Sequence, residues 1–401
     1  MKVLIINGGE NSCPGGVNKT VRETAKNLSL RGHQVILLQE NPYNKPEKEL
    51  KDGYEIIRIK TRLGNILYGF SFEILFKFRR LFQDIKPDIV HLHGYHALLS
   101  LEIIKLIRNL NPRIPIVFSP HLDVYRSSIA GKYLWNIYNF FGKSIFKDST
   151  HIISPSNYEA ENIINNYDIS PESITIIPHG VNLIEDQERG NLTDKPDNGN
   201  SLDNLENGNL TDKHQKTRDK NETCRMLYSG YLVERKGVNY IIESLNYLVN
   251  VLNFKDVKLT IIGDGPEKDN LKKLSETFKL DDYVLWKTFL PEEEYINEIK
   301  DSTVFLLLSN SEAYGISVAE ALALRTPCLV SRKTAIKEFL NEPGCLGVDY
   351  PPKPELVAGK VLEIYNHDIQ VGPFSDKIRT WDKVSGDYEK VYQELLYGRR
   401  I

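Results

Sequence analysis

Four loops of this chain carry residues able to do chemistry, and the most informative is Ser311-Glu312-Ala313-Tyr314-Gly315-Ile316-Ser317-Val318-Ala319-Glu320. A glycine turn here precedes a helix-forming run, and seven residues separate the two glutamates. Glu312 therefore falls before the turn, and Glu320 about one turn inside the helix. A helix start offers amide groups without intrahelical partners and the positive end of the helix dipole. The backbone of Tyr314, Gly315, Ile316 and Ser317 is thus suited to hold phosphate. Carboxylates repel phosphate, so Glu312 and Glu320 make sense as acceptors for ligand hydroxyl groups at the two ends of such a ligand. The second loop, Ser229-Gly230-Tyr231-Leu232-Val233-Glu234-Arg235-Lys236-Gly237, sets two cations between glycines just after an apolar run. A cation pair placed there neutralises a diphosphate; the plainer alternative is a solvated basic turn.

Two further loops are weaker signals. Gly8-Gly9 and Pro14-Gly15-Gly16-Val17 lie before a helical pattern, where Gly15 and Gly16 let the backbone approach a ligand. Ile262-Gly263-Asp264-Gly265-Pro266-Glu267 reads as a tight turn with proline near the first helical position, or as a border of the same cleft. His91, His93 and His96 raise the question of zinc. His91 and His93 share a face if their strand continues through them; an active-site edge or strand-end histidines are the competing readings.

These loops need strands and helices to carry them. In the first half, apolar runs at Val3 to Ile6, Gln34 to Leu38, Ile56 to Ile59, Ile89 to Leu92, Pro115 to Ser119, His151 to Ser154 and Thr175 to Pro178 alternate with helical patterns such as Val17 to Arg31 and Leu98 to Leu110. The second half repeats the alternation, with strands at Arg225 to Tyr228, Lys258 to Ile262, Tyr283 to Trp286, Val304 to Leu308 and Pro327 to Ser331. Helical patterns there run over Gly237 to Val249, from Ser317 to Ala323, and over an amphipathic stretch from Trp381 to Leu396. Such alternation predicts parallel sheets covered on both faces, and 401 residues predict two α/β domains. Residues 184–223 are rich in Asn, Asp, Glu, Lys and Gly and repeat the hexapeptide GNLTDK. That composition cannot bury enough apolar surface to offset its ordering entropy, which predicts a flexible linker or insertion; a lid that orders on a ligand is the alternative.

Composition narrows the class. The net charge of −3 offers no global attraction to nucleic acid. The four cysteines form no CxxC pair, which fits a reducing cytosol. The opening apolar run is too short for a signal peptide, and no stretch reaches the roughly 18 uninterrupted apolar residues of a spanning helix. Two segments, Leu67 to Leu81 and Tyr133 to Phe146, combine aromatics with Lys and Arg. They are either core-facing helices or a peripheral contact with a membrane surface or lipid-linked acceptor.

The Glu-x7-Glu spacing resembles the motif of retaining glycosyltransferases of family 4. The resemblance extends through SGYLVERKG, TIIGDGPE, VLWKTFLPEEE and SNSEAYGISVAEALALRTPCLVS. It also takes in the loop before Val17, the SPH at 119–121, SPSNYEAEN, IPHGVN and the closing WDKVSGDYEKVYQELL. It implies a GT-B fold, in which two Rossmann-like domains face each other across a cleft. The first domain (1–183) would lie on the acceptor side, the second (224–380) on the donor side, and helix 381–401 would cross back to complete the first. Gly16 would approach the donor phosphates and His121 would sit near the reacting centre. Arg235 and Lys236 would neutralise the diphosphate, Glu312 would bind hydroxyls of the transferred sugar, and Glu320 would bind the ribose. Gly15, Gly230, Gly263, Thr288 and Ala313 join the expected donor side. Four positions depart from the family's usual pattern: Ala313-Tyr314 where Gly-Phe is frequent, Ser317 where proline is common, and Thr288 where glycine is frequent. The implied partners are a nucleotide-sugar donor and an acceptor sugar or lipid-linked sugar. Neither a cofactor nor a metal is expected, since no Asp-x-Asp triplet is present. The alternatives are a non-catalytic nucleotide-sugar binder, or a phosphorylase or epimerase on the same fold.

Overall fold

Runs of Val, Ile and Leu bounded by glycines build two separate parallel sheets. The computed structural model describes residues 1–8, 15–41, 44–59, 72–95, 98–122, 129–182 and 222–398. The first sheet holds β1 (Lys2–Asn7), β2 (Gln34–Glu40), β3 (Lys48–Lys51), β4 (Tyr54–Ile59), β5 (Ile89–His93), β6 (Ile116–Ser119), β7 (His151–Ser154) and β8 (Ile174–Ile176). Their order is β3-β4-β2-β1-β5-β6-β7-β8, and only β3 runs antiparallel, against β4. Val3, Leu4, Ile5 and Ile6 of β1 are all fully buried, as required of a strand covered on both faces. The covering helices are α1 (Gly16–Leu30), α2 (Phe72–Ile85), α3 (Leu98–Leu110), α4 (Ile129–Asp148) and α5 (Asn157–Tyr167).

The second sheet contains β9 (Cys224–Ser229), β10 (Val257–Ile262), β11 (Val284–Lys287), β12 (Val304–Leu307), β13 (Cys328–Ser331) and β14 (Cys345–Val348), in the order β11-β10-β9-β12-β13-β14. It is flanked by α6 (Val238–Asn246), α7 (Lys268–Thr277), α8 (Glu292–Asp301), α9 (Ile316–Ala323) and α10 (Pro354–Asn366). In each sheet the winding direction reverses at the central strand, β1 or β9. Ligands bind in the crevice beyond the carboxyl ends of strands at such a reversal.

The last helix, α11 (Trp381–Tyr397), leaves the second unit and returns to the first. Thr380 caps it by accepting a hydrogen bond from the Lys383 amide. Trp381, Val384, Tyr388 and Tyr392 then share a core with Val3, Ile5, Val21 and Leu28. The two chain segments that cross between the units touch each other. Val181 bridges Thr380 in parallel, its amide donates to Arg379 O at 2.9 Å, and a Cβ on Gly180 would stand 2.7 Å from Trp381 Cα.

Several elements differ from the sequence reading. Strands β3 and β14 and helices α5, α8 and α10 add to it. The helix expected over Gly237 to Val249 is α-helical only to Asn246 and continues as a π-type turn, Tyr247–Val251. Of the two aromatic segments, α2 buries Phe78, Phe82 and Ile85, and α4 buries Ile145 and Phe146. Core packing therefore accounts for one face of each. Residues 67–71 lie outside the described residues, as does nearly all of 184–223, the expected linker.

Candidate active site

Helix α9 sets the centre of the site. Its N-cap, Gly315, adopts φ 107° and ψ 57°, a left-handed conformation that favours glycine. The Gly315 carbonyl accepts from the Val318 and Ala319 amides. The Ile316 and Ser317 amides stand at the first two helical positions, where no intrahelical carbonyl is available. Gly16, the first residue of α1, faces this start from the other unit: a Cβ on Gly16 would lie 3.4 Å from Ile316 Cδ1. Gly15 is the N-cap of α1. The starts of two helices, one from each half, thus meet across the cleft.

Both glutamates are paired with lysines. Lys236 Nζ bonds Glu312 Oε1 at 2.5 Å, with both side chains largely buried. The Arg235 guanidinium donates to Ser311 O at 3.2 Å, while the Arg235 carbonyl accepts from the Asn310 amide and the Ser309 hydroxyl. The loop carrying both cations is held by Gly237 at φ 69°, where a Cβ would lie 2.1 Å from Leu308 O. The Glu320 carboxylate bonds the Lys19 ammonium of α1, and its other oxygen accepts from the Tyr295 hydroxyl at 3.0 Å. Breaking a buried ion pair by removing one partner is strongly destabilising. These carboxylates therefore require either their lysines or other hydrogen-bond donors.

The first unit contributes a cluster of buried histidines. His121 has φ 51°, unusual for a residue with a side chain. Its Nε2 bonds His93 Nδ1 at 3.0 Å, and its ring lies 5.5 Å from that of His179. The backbone beside it is held by Glu159, whose carboxylate accepts from the Leu122 amide and from Ser154 Oγ at 3.0 Å. Burial pushes Glu159 up to about 7, against those two hydrogen bonds. Burial also depresses the histidines, His91 to about 3 and His93 and His179 well below the usual imidazole range, with neighbouring imidazoles adding to the effect. His91 is bonded at both nitrogens, to Tyr392 Oη at 2.5 Å and Ser119 Oγ at 2.9 Å. His96 lies outside the described residues; among those described, no group of three His, Cys, Asp or Glu is placed to hold a metal ion.

The remaining candidates take different places. The Ala313 carbonyl accepts from Ser156 Oγ of the first unit at 2.7 Å. The Tyr314 side chain turns into the contact between the units, donating to Lys377 O at 2.7 Å, so only its backbone remains for a ligand. Gly230 follows β9 directly, and a Cβ on Gly263 would lie 2.0 Å from Gly230 O. That packing explains Gly263 without a ligand. Thr288 is exposed just after the edge strand β11, two strands from β9. The sequence reading missed Lys19, Tyr295 and Glu159, and it named His93 without its partner His121. Only Lys19 carried a signal: it lies three residues after Gly16, on the same helical face.

Comparison with known proteins places this geometry. Residues 14–185 match the model described as Glycosyltransferase Family 4, and residues 210–377 match Glycosyl transferases group 1. The chain is 23% identical over 396 residues to alpha-monoglucosyldiacylglycerol synthase of Acholeplasma laidlawii, covering 96% of this chain and 91% of that one. The sucrose-phosphate synthase of Thermosynechococcus elongatus superposes with a TM-score of 0.73 at 17% identity, covering 98% of each chain. The Anabaena protein Alr3699/HepE, in complex with UDP and glucose, superposes at 0.68 with 12% identity over 98% of this chain and 100% of that one.

Proposed function

Because the chain belongs to glycosyltransferase family 4, the glycosyl transferases of group 1, we propose that its cleft moves a hexose from a nucleotide-sugar donor to an acceptor hydroxyl with retention of configuration. The observation that carries this reading is the Lys236–Glu312 pair beside the start of α9. A bound donor gives each member a better partner. Its diphosphate takes the ammonium, and hydroxyls of the transferred sugar take the carboxylate. Charge develops on the departing nucleoside diphosphate, so fixed cations and amides there lower the barrier most. On this reading Arg235, Lys236 and the Ile316 and Ser317 amides take that role. The acceptor oxygen bonds to the anomeric carbon as the bond to the diphosphate oxygen breaks on the same face. The acceptor proton passes to a phosphate oxygen. Charge neutralisation by these groups calls for no divalent ion.

The acceptor reading follows the first unit. On α2, Phe76 is 83% exposed, and Lys77, Arg79 and Arg80 are exposed beside it. On α4, Phe141 and Lys143 are exposed. An aromatic and basic surface of this kind suits the interface of an anionic membrane. The A. laidlawii relative is named for a diacylglycerol product, and a lipid-linked acceptor is the reading we favour. Among the described residues no helix is long and apolar enough to cross a membrane, so membrane contact on this reading is peripheral.

A thermal-shift screen of UDP, GDP, ADP and their common sugars tests the donor, since a ligand of the folded state raises its melting temperature. One base should stand out. In the variant Lys236→Ala, turnover should fall at least tenfold while that nucleotide still binds. Normal turnover in this variant removes the lysine from the mechanism. Consumption of inorganic phosphate, or sugar isomerisation without an acceptor, would replace transfer with another reaction.

A further inference from the structure

The cleft contains a second lysine–glutamate pair, and this one joins the two units. Lys19 lies in the first turn of α1, three residues beyond Gly16, and its ammonium bonds the carboxylate of Glu320, 301 residues away. Both side chains are largely buried. Burial works against the Lys19 charge, but Glu320, with Glu292 and Glu23 farther off, outweighs it and keeps the group cationic. On the proposed reading Glu320 accepts hydrogen bonds from the donor ribose. A ribose hydroxyl arriving there takes the place that the ammonium holds.

The displaced charge then needs a new partner, because an unpaired buried cation is costly. The start of α9 is about one helical turn from Glu320, roughly 5.4 Å. That is within the swing of a four-carbon lysine stem. Gly16 and Ile316 abut at this point, so a diphosphate seated on the α9 amides lies against the α1 start that carries Lys19. Resting on the reading above, we propose that Lys19 is a diphosphate-binding residue supplied by the first unit, held by Glu320 until the donor arrives. The arrangement repeats the logic of Lys236 and Glu312: in each pair the sugar hydroxyls take the carboxylate and the phosphates take the ammonium. The difference is that Lys19 comes from the opposite side, so the donor ties the two units together.

The test measures binding by calorimetry in wild type, Lys19→Gln and Lys19→Arg, with UDP, GDP and ADP as probes and the matching phosphate-free nucleoside as control. Glutamine keeps a hydrogen bond to Glu320 but has no charge. In Lys19→Gln the dissociation constant of the bound nucleoside diphosphate should rise at least tenfold, while that of the nucleoside stays within about twofold. Lys19→Arg should stay within a few-fold of wild type for both. Unchanged diphosphate affinity in Lys19→Gln overturns the proposal, as does equal weakening of diphosphate and nucleoside, which marks a purely structural role. A wild-type protein that binds none of the three diphosphates overturns the donor reading itself, whereas binding that survives Lys19→Gln overturns only the role of this lysine.

Discussion

At the scale of single residues, the histidine cluster makes stability depend on pH. His91, His93 and His179 are depressed by burial, so the folded state keeps them neutral. Their contribution is fully present above the unfolded imidazole value of about 6.5 and is lost as pH falls toward the folded values. Glu159, raised to about 7, works in the opposite sense and favours the folded state at lower pH. In the window from about pH 4.5 to 6.5, three imidazoles against one carboxyl leave a net uptake of about two protons on unfolding by these groups. The expected loss is on the order of 2 kcal/mol per pH unit of acidification. Urea denaturation at pH 6.5 and 5.5 measures it, and His91→Gln should flatten it by about half. An unchanged slope would mean that His91 already carries a proton in the folded state. Glu312, Glu320, Arg235 and Lys236 were legible in the sequence because their types and spacing lie within one loop or one turn. Tyr295 and Lys19 were not, because each meets Glu320 only through the fold. His93 was named in the sequence, but its contact with His121 was not legible, because it depends on β5 and β6 pairing with His93 opposite Ser119.

At the scale of elements, glycine decides where the cations stand. Gly237 combines φ 69° with an approach that would put a Cβ 2.1 Å from Leu308 O. Gly237→Ala should cost on the order of 2–3 kcal/mol through backbone strain and overlap. It should also weaken nucleotide binding by displacing Arg235 and Lys236. Gly359, exposed within α10 and with nothing within 4 Å of its Cβ position, is the control: alanine there should stabilise by about 0.5–1 kcal/mol. Melting curves with and without nucleotide compare the two. Most buried parallel strands were legible because their apolar runs end at glycines or turns; β14, only four residues long and containing Gly347, was not. The edge strand β3, Lys48-Glu49-Leu50-Lys51, is mostly exposed and shows no such run. Its place depends on pairing with β4, which local pattern does not encode.

At the scale of the molecule, the first unit is finished by the end of the chain. Trp381, Tyr388 and Tyr392 are almost wholly buried against β1 and α1, and Arg31 ion-pairs with Asp382 and Glu389. Ending the chain at residue 380 removes this helix and exposes an apolar face. Calorimetry of the shortened chain should lose the cooperative transition of the first unit and keep that of the second. Two intact transitions would show that the first sheet stands without its last helix. The two-domain plan and the returning helix were legible from the repeated alternation and the amphipathic tail. The seating of Gly180 under Trp381 was not, since it needs both crossings in register.

That seating has a mechanical consequence. Two separate straps between two bodies resist both sliding and turning. Here the straps are laid side by side, bonded through Val181, Arg379 and Thr380, and so act as one pin. Any change in the angle between the halves would turn about this point, where a few backbone dihedrals could absorb it. Such a turn would have to break the Lys19–Glu320 and Ser156–Ala313 contacts across the cleft.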